Sequence, residues 1–176
     1  MSRSMFRTAL FSLPVVLGSV VMHAQTSLPP MDTNPIDVRT GAAIDKQARE
    51  FLEQARNKPD GSVSTTLERY PGHTTMLTAR TKPGGAELHQ HTNDFFIVLD
   101  GEASEVTGGT IEDAKEVSPG EIRGKRVVGG TEHPMHKGDV IHIAPGTPHQ
   151  TVVPAGKYFL YYVIKVQAPD VAASAK

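Results

Sequence analysis

His89, Gln90 and His91 place two imidazoles two residues apart. On a β-strand, residues i and i+2 point to one face, roughly 6.5–7 Å apart along the backbone. Two rings so placed converge on one ion, and imidazole is the commonest metal-ligating side chain. A third ligand from a distant strand would complete a facial set with open positions for substrate. An exposed pair of strand histidines has the same spacing, so the surroundings must decide. Glu87 lies two residues before His89 on the same expected face, either as a reserve carboxylate or as a solvated rim charge. His142 alternates with Val140 and Ala144, which fits a group that steadies a metal ligand or a packed imidazole. His133 and His136, on either side of Pro134, read as surface residues, and His73, beside Pro71 and Gly72, as a turn residue.

Other chemistries are excluded by what is missing. The chain has no cysteine, hence no thiolate nucleophile, no disulfide and no sulfur ligand; a metal must use His, Asp or Glu. The segment Gly120-Glu-Ile-Arg-Gly124-Lys125-Arg126 has three residues between its glycines and no Ser or Thr at its end, so it is no phosphate loop. There is no Gly-x-Ser-x-Gly elbow and no His-Glu-x-x-His. A formal net charge of −1, without basic or aromatic-basic runs, argues against a nucleic-acid partner.

The elements that must hold these residues are mostly strands. Sixteen glycines and thirteen prolines favour many short strands over long helices. Alternating or β-branched stretches predict strands at 62–69, 74–81, 95–99, 103–107, 140–143, 150–153 and 158–166, with Gly-Gly pairs between several of them. The polar stretch 111–137 reads as a long excursion between strands. Before the strands, Ile44, Ala48, Phe51, Leu52 and Ala55 recur at helical spacing, which predicts one amphipathic helix over 42–57 inside a 40–61 segment. Residues 25–39 carry three prolines and read as an extended leader, and 168–176 as a fraying tail. Residues 1–24 read as a secretory signal: Arg3 and Arg7 precede a 14-residue apolar run at 9–22, shorter than the ~20 needed to span a bilayer, and Ala24 suits the cut. Its removal takes the charge from −1 to −3, leaves no membrane span and implies a periplasmic or secreted protein.

Around the histidines the sequence resembles the cupin superfamily. The family's first motif is a glycine, about five residues, His-x-His, three or four residues, a Glu, six residues and a glycine. Here Gly84 precedes the pair, His89 and His91 match the histidines, and Gly101 matches the closing glycine. The second motif, a Gly-Asp turn leading through a strand to a Pro-Gly turn and a His, is matched by Gly138-Asp-Val-Ile-His-Ile-Ala-Pro-Gly146-Thr-Pro-His149. The resemblance covers about residues 84–153. It implies an all-β double-stranded β-helix, a jelly-roll barrel over 62–167, with the N-terminal helix outside it. It also implies one divalent metal on His89, His91 and His149.

The family's Glu is absent from its usual distance after the second His, where Phe95 and Phe96 stand; counting six residues back from Gly101 lands on Asp94. Asp94 would ligate directly, act through a water, or cap the strand. Without sulfur ligands the ion would be Fe(II), Mn, Zn, Ni or Co. The resemblance implies a small-molecule substrate, handled by an oxygenase or by an isomerase or lyase, or else a noncatalytic binding or scaffold barrel, in either case often a homodimer. The fold alone does not choose between them.

Overall fold

The computed structural model describes residues 28–34 and 36–168; the expected signal segment and nearly all of the expected tail lie outside the described residues. Helix α1 (Gly41–Arg56) opens at Thr40, whose hydroxyl accepts a hydrogen bond from the Ala43 amide at 3.2 Å and satisfies a donor the first turn leaves free. Ala48, Phe51, Leu52 and Ala55 fall at i, i+3, i+4 and i+7, and these are the helix's buried residues. Arg56 in the last turn complements the helix dipole.

The strands that follow are β1 (Ser62–Tyr70), β2 (His73–Arg80), β3 (Ala86–His89), β4 (Thr92–Thr107), β5 (Thr110–Glu112), β6 (Lys115–Ser118), β7 (Glu121–Gly124), β8 (Arg126–Val128), β9 (Thr131–His136), β10 (Val140–Ile143), β11 (His149–Val152) and β12 (Phe159–Gln167). Ten form one sheet in the order β1-β2-β12-β4-β11-β3-β7-β6, with β9 and β10 also on β4; β5 and β8 pair separately. Every ladder between these strands is antiparallel.

Strand β4 joins the two halves of the barrel. Its first half pairs with β10 and β12, and its second with β9 and β11. The handover falls at Gly101, where φ is 83° and a Cβ would run into the Tyr158 carbonyl, so a side chain is excluded on both counts. The two strands expected at 95–99 and 103–107 are therefore one strand that curls at this glycine.

The pleat sorts β2 and β12 into two faces. Leu77, Ala79 and Leu160 face outward and pack with Leu67 under the apolar stripe of α1. Met76, Phe96, Val98, Ile143, Val153, Phe159, Tyr161 and Val163 cluster inside the barrel. Thr78, Arg80 and Lys165 share the inward phase of their strands, and polar groups at such positions ask for a reason.

Two stretches differ from the sequence expectation. The excursion at 111–137 carries β6 to β9 in full, strands of three to six residues; β6 is exposed throughout, so it shows no alternation of apolar and polar residues to detect. The leader is extended but tied down: Met31 bridges Arg69 in parallel, and the Asp32 amide donates to the Arg69 carbonyl at 2.6 Å. It thereby covers part of the outer edge of β1. No helix among the described residues is long and apolar enough to cross a membrane.

Candidate metal centre

Strand register brings the polar residues of the barrel interior together. His149 on β11 lies directly opposite Glu87 on β3, and Glu87 opposite Arg123 on β7. His89 lies opposite Glu121 on β7, and Asp94 on β4 opposite Lys165 on β12. Side chains of directly opposed residues share a face and touch, so four cross-strand pairs build one cluster.

Its centre is lined by imidazole nitrogens and carboxylate oxygens. His89 Nε2 is 3.4 Å from Asp94 Oδ2 and 3.5 Å from Glu87 Oε2, and His149 Nε2 is 3.8 Å from Asp94 Oδ2. Ligand atoms sharing an ion with bonds of about 2.0–2.2 Å stand roughly 3–3.5 Å apart, so the spacing is close to that of a coordination shell. Glu87, His89 and His149 each offer an atom within 4.8 Å of the others.

Both rings are turned for ligation. His89 Nδ1 is 2.6 Å from Glu121 Oε2, and His149 Nδ1 is 3.1 Å from the Thr147 carbonyl. Each acceptor fixes the proton on Nδ1 and leaves Nε2 bare, the usual support for a metal-binding imidazole. His149 Nε2 and Asp94 Oδ1 are buried without a hydrogen-bond partner, an expense that a cation would relieve.

Electrostatics and hydrogen bonding together set the protonation of the donors. Burial lowers the His149 pKa, so the ring is neutral. Burial opposes the charge of Asp94, but His89 and Lys165 outweigh it and hold the carboxyl below its usual range. Glu87 is likewise held low: burial raises it, and the hydrogen bond with His89 and the Arg123 charge bring it down further. For His89, burial lowers the pKa while Asp94 and Glu87 raise it to about 9. The geometry nevertheless fixes a neutral ring, because the Lys165 ammonium donates to Nε2 at 2.9 Å and that nitrogen must be bare to accept.

Lys165 is the cation already at this centre. Its Nζ is 2.5 Å from Asp94 Oδ2 as well as 2.9 Å from His89 Nε2. The set thus draws positive charge, and its donors, all nitrogen and oxygen, suit a divalent ion of the first transition row.

Of the residues expected from sequence, His89, His149 and Asp94 come together here. His91 does not. Strand β3 ends at His89, and Gln90 and His91 form a bend that carries the chain to β4, so the two-residue periodicity stops one residue short. His91 is exposed, with its ring against Gly120. The inward neighbour of His89 is Glu87, on the strand side of it. His142 also lies apart: exposed on β10, it stacks on Phe95 and contacts Asn93 Oδ1 at 2.8 Å, outside the cluster. Glu121, Arg123 and Lys165 were not anticipated. Lys165 left a signal, as a charge on the inward phase of an otherwise apolar β12; Glu121 and Arg123 stood in a stretch without pattern.

The register also repairs the motif. With Glu87-Leu88-His89 in the place of His-x-His, four residues lead to Asp94 and six more to Gly101, as in the motif the sequence resembles, while Gly84 stands only two residues before Glu87.

No family model matches the sequence, and among curated proteins no match is found. Among solved structures the chain is similar to the protein TT1209 from Thermus thermophilus, at TM-score 0.52 and 12% identity over 76% of this chain and 100% of that one. A Cupin 2 conserved barrel domain protein from Salinispora arenicola aligns at TM-score 0.44 and 20% identity, over 79% of this chain and 92% of that one. Oxalate oxidase aligns at 0.46 and 14%, over 62% of this chain and 53% of the other, so the chain spans about half of that enzyme's length. The fold shared with TT1209 is an antiparallel β-barrel of the kind that the motif resemblance implies. In this barrel the polar cluster lies beside a cavity of about 220 Å³.

Proposed function

We propose that this cupin barrel binds one divalent metal through His89, His149, Asp94 and Glu87, and that it is a metalloenzyme acting on a small molecule. The observation that carries the reading is the pair of bare Nε2 atoms, each ring anchored at Nδ1, facing two ionised carboxylates. The ion would supply Lewis acidity for an isomerase or lyase reaction, or oxygen chemistry if it is iron.

The chain's own residues have separate tasks. Glu121 and Thr147 hold the two rings in one tautomer. Arg123, paired with Glu87 and Glu121, sets the carboxylate of Glu87 in place. Lys165 would give up its position between Asp94 and His89 to a bound ion. It also lines the cavity, where its amine could carry a proton to or from a bound molecule. The cavity, below the ~300 Å³ at which drug-sized ligand sites begin, suits a small substrate.

A second reading rests on Lys165. An ammonium already neutralises Asp94, so the barrel would serve as a noncatalytic binding module without a metal. Titration of chelator-treated protein with Mn, Fe(II), Zn, Ni and Co, followed by elemental analysis after gel filtration, separates the two. One equivalent of metal per chain supports the metalloenzyme; retention of none of these ions leaves the binding module. The N-terminal sequence supports export, so the same measurement belongs on protein recovered from the periplasm or medium.

A further inference from the structure

Arg80 is the cation of the pocket that no carboxylate claims. It lies on the inward phase of β2, and its guanidinium lines the cavity together with Glu87, Arg123 and Tyr161. Arg123 is paired with Glu87 and Glu121, and Lys165 with Asp94. Arg80 forms no ion pair among the described residues; its Nε donates to the neutral Tyr161 hydroxyl at 3.0 Å.

The group is also held in place. Tyr161 is buried in the barrel core. On the other side a Cβ at Gly84 would sit 2.9 Å from Arg80 Nη1 and 3.0 Å from Cζ, so the guanidinium lies against bare backbone. Gly84 is itself pinned, its amide donating to the Thr151 carbonyl at 2.9 Å and its carbonyl accepting from Gln150 Nε2 at 2.8 Å. A half-buried, preorganised guanidinium with unclaimed N–H groups is a carboxylate receptor, because its planar fork matches both oxygens at once. Charge points the same way. The cavity sets Arg80, Arg123 and Lys165 against Glu87 and Asp94, and a divalent ion would add two positive charges that an anionic ligand offsets.

We propose that the pocket takes a small carboxylic acid whose carboxylate is bound by Arg80, with the rest of the molecule directed to the cluster of Glu87, His89, Asp94 and His149. The second half rests on the proposed metal centre; the Arg80 contact does not. The test titrates pyruvate and benzoate against their neutral isosteres pyruvamide and benzamide, by calorimetry, in metal-loaded and chelator-treated wild-type protein and in Arg80→Gln. Wild-type protein should prefer the acids at least about tenfold, and Arg80→Gln should lose that preference while keeping its metal content. A wild-type preference that survives in Arg80→Gln, or no preference in wild type, overturns the proposal. Should Arg80→Gln fold poorly, Tyr161→Phe replaces it: weaker acid binding with unchanged amide binding supports the assignment, and unchanged acid binding overturns it. Absence of metal with the acid preference intact would remove the metal reading and leave Arg80 standing.

Discussion

Glu87 lies directly across the β3–β11 ladder from His149, so the first and second halves of the histidine–carboxylate cluster meet through one cross-strand pair. The carboxylate that the spacing of histidines hides is thereby an inward residue of the centre, and His91 is not.

Replacement of single residues separates these roles. Ala at His89 or His149 should abolish most metal binding, and Glu87→Ala should weaken it by a comparable amount. His91→Ala, His142→Ala and His133→Ala should bind as wild type, because those rings lie outside the cluster. Calorimetric titration checks the series, and loss of metal in His91→Ala with retention in Glu87→Ala would reverse the assignment.

Glu121 would act on a bound metal through His89, to whose Nδ1 it is hydrogen-bonded. Such supporting groups are worth ~10–100-fold in affinity or activity. Glu121→Gln should therefore weaken metal binding within that range and Glu121→Ala toward its upper end, with the fold intact by circular dichroism. Wild-type affinity in both would remove Glu121 from the site.

How much of this was legible in the sequence follows from where periodicity holds. The helix, the long strands and the barrel class could be read because Ala48, Phe51, Leu52 and Ala55 keep a 3.6-residue period and β2 and β12 are rich in β-branched, aromatic and aliphatic residues. His149 and Asp94, placed by motif distance from Gly146 and Gly101, lie together in the structure, because those glycines fix turns and tight passages in the chain. His91 lies apart because strand periodicity does not carry across a bend, and local sequence does not mark that β3 stops at His89. Glu121 and Arg123 escaped notice because β7 is placed by pairing with β3, a long-range contact with no local trace.

Lys165 holds the positions on Asp94 and His89 that a metal would take. In chelator-treated protein, Lys165→Met should leave Asp94 buried and unpaired, at a loss of about 3 kcal/mol in urea unfolding. The same variant should bind metal more tightly than wild type, since no ammonium need leave. Equal or weaker metal affinity would mean that Lys165 supports the ion rather than opposing it.

Glu105 is buried inside the barrel, accepts from Thr151 Oγ1 at 2.7 Å and leaves its other oxygen without a partner. Burial pushes its carboxyl up to about 8, despite the Thr151 hydrogen bond. Folding therefore favours the protonated acid. Below about pH 4.5 both folded and unfolded chains hold the proton; between there and pH 8 only the folded chain does, so stability falls as pH rises. The difference in unfolding free energy between wild type and Glu105→Gln, both metal-free, should shift against wild type by at most ~1.4 kcal/mol per pH unit across that window. A difference independent of pH from about 5 to 8 would contradict it.

Export rests on the N-terminal sequence. Intact mass of protein from the periplasm or medium should lack about 24 residues, with Gln25 at or near the new terminus. Full-length chain in the cytosol would overturn this.

A divalent ion is expected among Glu87, His89, Asp94 and His149. Crystals of the protein loaded with Mn or Zn, with diffraction measured on both sides of the metal's absorption edge, locate the ion directly. One anomalous peak per chain should appear about 2.0–2.2 Å from His89 Nε2 and His149 Nε2, with carboxylate oxygens of Asp94 and Glu87 in the same shell and Lys165 displaced. A peak on His91, or none with Lys165 still bonded to Asp94 and His89, would contradict it.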